Sequence, residues 1–510
     1  MKTGLDAFAV KQVWKGRHAA LVLGWSEDQL VPVVELLDPV LPECLPGRPE
    51  KPLTARMKSA IAACARSLVL DYTLTGKPVR YSRNRNDYGG EDRYRRGDSY
   101  LTFHFVTGAV DILVQVGLAE TEIGEWGWTG GVGRQSVVWP TGELIQLLEP
   151  VIDPAEPRAD LREAEVIVLR DPDDKRDIDY DDTDETNAMR AQIRVLNHAL
   201  AGMELFLFGR RFAIPLLRRV FSGDWWRNGR VYAHGASWQN IPAEQRRDLQ
   251  VRIAGVLYAM VEIDYANLHA VMAYAQAGID LPPGDQYAID GFDRALVKRA
   301  FNTLLNATSR QKAVAALSED LAVKDHELWQ HSGLPTRSRT ACRPYAEMVV
   351  AAVEEKHQPI AEQFGSDCGA AFMRRDSEMA VQVMLRVLEE TGRVPLPVHD
   401  SFLVPDLDQE VLVHVMQEVA AEEALPLCLK ESGGSRQWPP LPSPLFLYLE
   451  ETPLTCTDRN PRNRPKSSDP VAAEVLAGDG PEAAQRTPSL AVPARHVDCA
   501  TIGSLQGESY

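Results

Sequence analysis

The sequence predicts an α+β protein whose main body alternates helices with short strands. Of its 510 residues, 45% are hydrophobic and 25% are charged, the balance of a globular protein. Between residues 186 and 450, segments with helical periodicity are separated by short strand-like apolar runs. Ahead of this main body, residues 51–170 read as helix, helix and hairpin, which gives the N-terminal half the same mixed class.

Shifts in composition divide the chain into five parts. They are an N-terminal segment at 1–50, a domain at 51–170, an acidic linker at 171–185, the main body at 186–450 and a disordered tail at 451–510. The linker carries a run of acidic residues that is expected to be solvated. The tail is poor in large apolar residues and rich in Pro, Ser and Arg, so no packed core is expected there.

Charge and cysteine content exclude several classes of protein. A net charge of −17 argues against binding nucleic acid over the whole surface, although a local basic channel is compatible with it. The seven cysteines are scattered without zinc-finger spacing, so a reducing compartment, the cytoplasm, is expected. No apolar run is long enough for a membrane span and the N-terminus has no signal-peptide pattern, so no membrane partner is expected.

The domain at 51–170 has the order of a winged-helix module. Helical stretches at Thr54–Asp71 and Tyr100–Val116 precede two strands around a Gly-rich tip. An Arg- and Tyr-rich segment lies between the helices and contains Arg80, Arg83, Arg85, Arg93, Arg95, Arg96, Tyr81, Tyr88 and Tyr94. A winged-helix DNA-binding domain is one interpretation, and a generic α+β domain with a polar loop is the other.

Two acidic residues follow apolar runs in the main body. The segment PLPVHDSFLVPD places His399 and Asp400 at the bend of an apolar hairpin, where an ordinary turn is the simpler interpretation. Asp264 ends a strand-like run, and its simpler interpretation is a helix N-cap. If both strands belong to one sheet, the two carboxylates meet. Paired carboxylates are the arrangement that holds Mg²⁺, or Mn²⁺ in its place, for phosphoryl transfer.

Two further segments offer polar groups in a regular arrangement. In DRALVKRAFNTLLNA, Arg294, Lys298, Asn302 and Asn306 are spaced by four and share one helix face. Two cations at that spacing suit a triphosphate, and an ordinary amphipathic helix is the alternative. The segment from Trp225 to Val251 interleaves Arg227, Arg230, Arg246 and Arg247 with aromatic residues and with the amides of Gln239 and Asn240. That mixture suits a nucleic-acid backbone and base edges, or else a basic interdomain loop.

These segments together resemble family A DNA polymerases and the related single-subunit RNA polymerases of phages and mitochondria. The resemblance covers about 230 residues, from Arg218 to Glu450, and depends on the order of short motifs. Gly229-Arg230 precedes the sequence QNIP, Asp264-Tyr265 looks like motif A, Arg294 and Lys298 look like motif B, and Val398-His399-Asp400 looks like motif C. Ser401 is similar to the RNA-polymerase version of motif C.

The resemblance implies a right-hand polymerase palm with helical fingers. Asp264 and Asp400 would hold two Mg²⁺ ions, and Arg294 and Lys298 would bind the incoming nucleoside triphosphate. His399 would lie near the growing 3′ end, while Arg230, Gln239 and Asn240 would contact a primer paired with a DNA template. The expected activity is template-directed addition of nucleotides to a 3′-hydroxyl.

The chain departs from the family where the sugar is selected. His269 stands at the position of the motif A glutamate that excludes a ribose 2′-hydroxyl, and Asn302 and Asn306 replace the usual residues of motif B. These three side chains could bond a 2′-hydroxyl, which leans the expectation towards ribonucleotides and an RNA primer or product. Two alternatives stay open, a template-independent or priming nucleotidyltransferase and an inactive DNA-binding initiator or regulator.

Overall fold

The computed structural model describes residues 19–88, 92–95, 100–124, 135–158, 164–173, 176–432 and 437–438. The predicted tail at 451–510 lies outside these residues, and so do the tip of the N-terminal hairpin and Arg96. One hydrophobic core fills the N-terminal part, around Trp25 and Leu68, and a second fills the main body, around Phe301 and Phe402. The fold is mixed α+β, as predicted.

The N-terminal part shows the predicted order of helix, helix and hairpin. Its elements are α1 (Glu27–Leu37), β1 (Cys44–Leu45), β2 (Arg48–Pro52), α2 (Ala55–Thr75), β3 (Val79–Tyr81), α3 (Asp92–Arg95), α4 (Phe103–Gln115), β4 (Ala119–Glu122), β5 (Ser136–Pro140) and α5 (Gly142–Leu148). The Thr54 hydroxyl caps α2 by accepting a hydrogen bond from the backbone N–H of Met57. Strands β3, β5 and β4 form an antiparallel sheet in that spatial order.

The main body follows from residue 164. Its strands are β6 (Ile167–Arg170), β7 (Glu204–Leu207), β8 (Arg210–Phe212), β9 (Leu217–Ser222), β10 (Asp224–Ala233), β11 (Leu249–Ile253), β12 (Val256–Tyr265), β13 (Leu396–Val398), β14 (Ser401–Pro405), β15 (Leu429–Glu431) and β16 (Gln437–Trp438). Its helices are α6 (Asp184–Ala201), α7 (Ala243–Arg246), α8 (Leu268–Gln276), α9 (Arg294–Asn306), α10 (Arg310–Glu319), α11 (His326–His331), α12 (Arg339–Lys356), α13 (Gly369–Thr391) and α14 (Gln409–Glu422).

The acidic run predicted as a linker at 171–185 is mostly exposed where the structure describes it, and ion pairs hold it in place. Arg93 donates from Nε to Asp179 Oδ1 at 2.8 Å and from Nη1 to Asp182 Oδ1 at 3.1 Å. Arg190 donates to the same Asp182 oxygen at 2.6 Å. Because Arg93 lies more than 80 residues upstream of its partners, the local sequence gives no sign of this pairing. Just before the acidic run, β6 pairs in parallel with β9, and this pairing connects the run to the main body.

An antiparallel sheet organises the main body. Its strands follow the spatial order β13-β14-β12-β11-β7-β8, and β15 pairs with the far end of β12. Strand β12 is two-sided: Ile263 and Tyr265 are buried, and Asp264 between them faces the opposite side. The Tyr265 hydroxyl donates to the carbonyl of Met416 in α14 at 2.8 Å, which fixes the helical layer against the buried face. The polar face of β12 is therefore left for a site.

Helix α9 has the two faces that the sequence predicts. Asp293 caps its N-terminus by accepting a hydrogen bond from the backbone N–H of Ala295 at 2.9 Å. Val297, Phe301, Leu304 and Leu305 are buried, so the stripe that begins at Arg294 and Lys298 lies on the other side. Among the described helices, none has both the length and the apolar character required to cross a membrane.

Candidate active site

His399 and Asp400 form the two-residue turn of a hairpin, as predicted. Val398 of β13 pairs directly with Ser401 of β14, which leaves only these two residues in the loop. His399 adopts a left-handed backbone with φ of 62°, the conformation that short hairpin turns require. A left-handed backbone costs a residue with a side chain about 1 kcal/mol or more, so the surrounding contacts must hold it.

The hairpin is fixed from outside the sheet through the carbonyl of Pro397. Trp238 Nε1 and Gln239 Nε2 both donate to this oxygen at 2.9 Å. Trp238 is fully buried, and Gln239 Oε1 accepts from the backbone N–H of Ala233 at 3.0 Å. The amide of Gln239 thus braces the hairpin in this conformation. Its contact with a primer or template stays a prediction.

The neighbouring Asn240 links this brace to the N-terminal part. Its carbonyl accepts a hydrogen bond at 2.6 Å from the Lys77 ammonium group, and its side-chain oxygen accepts from the backbone N–H of Ser237 at 3.1 Å. Lys77 is itself largely buried. In the structure, Asn240 joins the main body to the N-terminal part of the chain. Its contact with nucleic acid stays a prediction.

Asp264 lies beside the hairpin turn, as the pairing of two acidic strand ends predicts. In the sheet it stands opposite Ser401 on one side and opposite Lys430 on the other. The backbone N–H of Tyr265 donates to the carbonyl of Asp400 at 3.4 Å, so the two acidic residues are close along neighbouring strands. Helix α8 begins at Leu268 with Asn267 at its N-cap. The alternative interpretation of Asp264 as a helix N-cap is therefore wrong.

The electrostatics of Asp264 show that the two carboxylates interact. Burial and the negative charge of Asp400 raise the pKa of Asp264 to about 7, against the opposing effects of Lys430 and Lys298. A carboxyl group next to a second carboxylate behaves in this way when its charge is not fully compensated. The Lys430 ammonium group lies 3.0 Å from Asp264 Oδ2. A further cation shared between the two carboxylates would stabilise both charges.

The donor set fits a magnesium ion. Mg²⁺ is usually held by one or two protein carboxylates, with substrate phosphates and water completing its octahedral shell. In the part of the chain that the structure describes, no three or more His, Cys, Asp or Glu side chains group into a metal site. Asp264 and Asp400 would therefore supply the protein ligands, and substrate or solvent the remainder.

The two predicted triphosphate-binding cations lie around the ring of Tyr287. The Arg294 guanidinium is 5.4 Å and the Lys298 ammonium 5.8 Å from the centre of its ring. Burial raises the pKa of Tyr287; Arg294 lowers it, and Asp400 raises it further. The ring thus lies among both the cations and the carboxylates. Sequence reasoning missed Tyr287 because it sits in a Pro- and Gly-containing loop with no periodic pattern.

Arg294 is half-exposed and has an acidic partner. Its Nη2 donates to Asp285 Oδ1 at 3.2 Å, and its Nε also bonds this carboxylate. Lys298 is closer to the catalytic candidates, since its charge lowers the pKa of Asp264. Of the two cations, Lys298 is the one whose charge acts on Asp264, and it does so through space.

Asn302 and Asn306 continue the same face of α9 towards the start of α13. Asn306 Nδ2 donates to the carbonyl of Asn302 at 2.7 Å. A Cβ atom on Gly369 would lie 2.5 Å from Asn306 Oδ1, so α13 begins directly against this amide, and a larger residue at 369 would push the amide aside. The predicted polar stripe is thus continuous, and its role in sugar selection stays a prediction.

His269 and Arg230 meet at a buried acid, Asp376 of α13. Arg230 Nε donates to Asp376 Oδ2 at 2.9 Å, and His269 Nε2 lies 3.5 Å from the same oxygen. Burial alone would raise the pKa of Asp376, but His269 and Arg230 hold it below its usual value. Asp400 contributes to the raised pKa of Arg230, which places this cluster next to the hairpin. Sugar selection by His269 and duplex contact by Arg230 stay predictions.

Gly229 aims Arg230 at this cluster. Asn228 and Gly229 both have positive φ, and the pairing of β10 with β9 shifts register here, which marks a bulge. A Cβ atom on Gly229 would lie 2.6 Å from Cε1 of Phe221. The Gly-Arg pair therefore has a physical reason: the glycine allows the bulge that turns the arginine towards Asp376.

Ser401 is bonded to an acid that sequence reasoning did not single out. Its hydroxyl donates to Glu262 Oε1 at 2.7 Å, and Arg246 holds the same carboxylate through two bonds of 2.9 and 3.0 Å. Glu262 precedes Asp264 by two residues and so shares its face of β12. The alternation of side chains along a strand could have identified Glu262 from the sequence, because it places Glu262 on the same face as Asp264. The charge of Glu262 is compensated by Arg246, unlike that of Asp264.

The likeness of this chain to known proteins is structural and of low similarity. No family model matches the chain, and no curated protein matches it. Among solved structures, the POL domain of Pol1 from M. smegmatis in complex with DNA primer-template and dNTP aligns at 14% sequence identity with a TM-score of 0.26. The alignment covers 81% of this chain and 66% of that one, just under two thirds of its length. A likeness at this level does not establish a shared fold.

Replacing Asp264 by asparagine should stabilise the metal-free protein, and more so at higher pH. The ordinary pKa of 3.8 is raised to about 7 in the folded protein, so Asp264 destabilises the fold increasingly as pH rises between these values. In EDTA, the gain in free energy of unfolding for Asp264→Asn should grow across this range, to at most about 4 kcal/mol. Urea unfolding at several pH values measures it.

A matched control is Asp406→Asn, an exposed acid just after β14. It should show no comparable growth with pH. A constant difference between Asp264→Asn and the natural protein across pH 4 to 8 would contradict the raised pKa of Asp264.

Proposed function

We propose that this protein is a template-directed nucleic-acid polymerase. A primer 3′-hydroxyl would attack the α-phosphate of a nucleoside triphosphate, a new phosphodiester bond would form, and pyrophosphate would leave. The observation that carries the proposal is the pair Asp264 and Asp400, which the sheet holds so close that the charge of Asp400 adds to burial in raising the pKa of Asp264 to about 7. A carboxylate pair of this kind next to Lys298 is suited to phosphoryl transfer.

Asp264 and Asp400 would hold Mg²⁺, or Mn²⁺. When bound, the metal supplies charge neutralisation for the attacking oxygen, the leaving oxygen and the phosphate between them. Lys298 and Arg294 would bind the β- and γ-phosphates, since both project from one face of α9 over the ring of Tyr287 and the charge of Lys298 reaches Asp264. Tyr287 would fix the positions of these two cations through its buried ring.

The other predicted roles follow from position. His399 lies next to Asp400 and packs edge-on against Tyr232 at 5.9 Å between ring centres, so it would contact the primer end. Arg230, braced by Asp376, would contact the duplex, as would Gln239 and Asn240 if their amides exchange partners. His269 lies 3.5 Å from Asp376 of α13, and Asn306 packs against Gly369 at the start of α13, so these two residues and the adjacent Asn302 would contact the sugar.

The finer fold assignment belongs to the same proposal. The antiparallel sheet with β12, β13 and β14 would be the palm, and helices α9 to α12 the fingers. This assignment is supported by the location of Asp264 on β12, by that of Asp400 at the turn between β13 and β14, and by the presence of Arg294 and Lys298 on one helix. An RNA primer or product is compatible with His269, Asn302 and Asn306, whose polar groups could bond a ribose 2′-hydroxyl.

We also propose that the N-terminal part binds DNA as a winged-helix module. The sheet order β3-β5-β4 and the helices α2 and α4 support it. Helix α4 contains no Lys or Arg, so the phosphate contacts would come from the exposed Arg80 and Arg85 instead. Such a module would direct the polymerase to a particular site, as in a replication protein of a phage or mobile element.

Primer extension with Mg²⁺ tests the catalytic proposal. The natural protein should extend a recessed primer opposite a DNA template, and Asp264→Asn and Asp400→Asn should each lower the rate by about 10³-fold or more, since charge stabilisation supplies most of the rate. Asp406→Asn, an exposed acid on the same hairpin, should keep the natural rate.

The same assay separates the alternatives. Addition to a blunt or single-stranded end at an equal rate would indicate a template-independent or priming enzyme. No addition with any template, primer or nucleotide would indicate an inactive DNA-binding initiator or regulator. Direct competition between a dNTP and its NTP reports the sugar preference, and the variants His269→Ala and Asn306→Ala should change that ratio if they contact the sugar.

The DNA-binding proposal predicts a change in salt dependence. The double variant Arg80→Gln/Arg85→Gln should reduce the slope of log affinity against log salt concentration by about 2, because each arginine removed leaves one phosphate without its cation. The matched control is Arg339→Gln/Arg343→Gln, two exposed arginines on α12. An equal slope for all three proteins in a fluorescence anisotropy titration would exclude a role for this surface.

A further inference from the structure

A lysine from the last part of the main body contacts the proposed catalytic acid. Lys430 lies on β15, which pairs with the end of β12 so that Lys430 stands directly opposite Asp264. Residues opposite one another on neighbouring strands point their side chains to the same face. The Lys430 ammonium group is 3.0 Å from Asp264 Oδ2 and hydrogen-bonded to it. No sequence motif singled out this residue, because more than 160 positions separate it from its partner.

Lys430 differs from the other cation near Asp264. Lys298 influences Asp264 only through space, and its ammonium group lies over the ring of Tyr287. Lys430 is in direct contact, so it is the resident counter-ion of Asp264. Its side chain is 39% exposed, and its flexible four-carbon stem allows the ammonium group to move into solvent without disturbing β15.

This contact places a condition on metal binding. Asp264 has two oxygens, and Lys430 occupies Oδ2 in the structure. A divalent cation shared with Asp400 needs Asp264 as a ligand, and an ammonium group at hydrogen-bond distance from that ligand repels it. At such separations the repulsion between two cations is only partly screened by water or salt.

We propose that Lys430 is a built-in counter-ion that competes with the divalent cation for Asp264, so that the metal binds by displacing the ammonium group from the carboxylate. This inference rests on the proposed role of Asp264 as a metal ligand. It gives the protein a site whose negative charge is partly compensated before metal binds, and which takes up metal only at a sufficient metal concentration. It also assigns a specific task to β15, the strand that brings Lys430 to the end of β12.

The test is the binding of Mn²⁺ to the full chain without nucleotide. Electron paramagnetic resonance measures free Mn²⁺ during a titration, so no activity is needed. Replacing Lys430 by methionine removes the charge and keeps most of the stem. It should tighten Mn²⁺ binding on the order of tenfold, the usual size of coupling between two ligands that influence one site. Lys430→Arg keeps the charge and should bind Mn²⁺ no more tightly than the natural protein.

Lys324→Met is the matched control. Lys324 also pairs with an aspartate, Asp320 at 3.5 Å, and its side chain is 40% exposed, almost the same as Lys430. Removing it takes away one positive charge elsewhere in the main body and should leave Mn²⁺ binding unchanged. Asp264→Asn should abolish the tight binding in both the natural and the Lys430→Met background, which assigns the bound ion to this carboxylate. Circular dichroism checks that each variant is folded, and Lys430→Gln serves as a second neutral variant.

Tighter binding in Lys430→Met and Lys430→Gln, but not in Lys430→Arg or Lys324→Met, supports the inference. Equal or weaker binding in the neutral variants overturns it, because Lys430 would then be indifferent or would help to hold the metal. The outcome is separate from the proposed activity. A protein that extends primers but binds Mn²⁺ equally with and without Lys430 keeps the proposed function and loses this inference. If the neutral Lys430 variants bind Mn²⁺ more tightly but the protein adds no nucleotide, the inference about Lys430 stands and the proposed function fails.

Discussion

The repulsion between Asp264 and Asp400 is the constraint on which the site depends. Two carboxylates on adjacent strands, one of them largely buried, are unfavourable at neutral pH unless cations stand near them. The protein surrounds the pair with positive charge: Lys430 contacts Asp264, Lys298 acts on it through space, and Arg230 interacts with Asp400. This compensation is incomplete, since the pKa of Asp264 stays at about 7. The uncompensated charge of Asp264 lowers the stability of the fold. Proteins commonly retain such a local loss of stability at functional sites.

Much of the main body serves to hold these charges in position. The turn at His399 has a strained backbone, and the carbonyl of Pro397 next to it is fixed by Trp238 and Gln239 from a separate segment. The bulge at Gly229 turns Arg230 towards Asp376 and the hairpin. Lys77 connects the same segment to the N-terminal part through the carbonyl of Asn240. A change in the N-terminal part therefore has a short covalent and hydrogen-bonded path to the turn that carries Asp400.

Features set by local pattern could be predicted from the sequence. The hairpin with a polar tip, the strand that ends in Asp264 and the two faces of α9 each follow from periodicity and turn chemistry, and the structure contains all three. Features set by register or by distant contacts could not be predicted. Lys430, Asp376 and Tyr287 reach the site only through the folding of the chain, and the pairing of Arg93 with the acidic run has the same origin. Gln239 was singled out for its amide, and the structure shows that amide bonded to backbone groups rather than open to a ligand.

The central claim is that Asp264 and Asp400 jointly bind a divalent cation. Anomalous diffraction from crystals grown with Mn²⁺ and a non-hydrolysable nucleoside triphosphate tests it most directly. We expect anomalous density between the two carboxylates, with the ammonium group of Lys430 moved away from Asp264 and the phosphates near Lys298. Density elsewhere, or none at this position while Lys430 keeps its contact with Asp264, would contradict the claim.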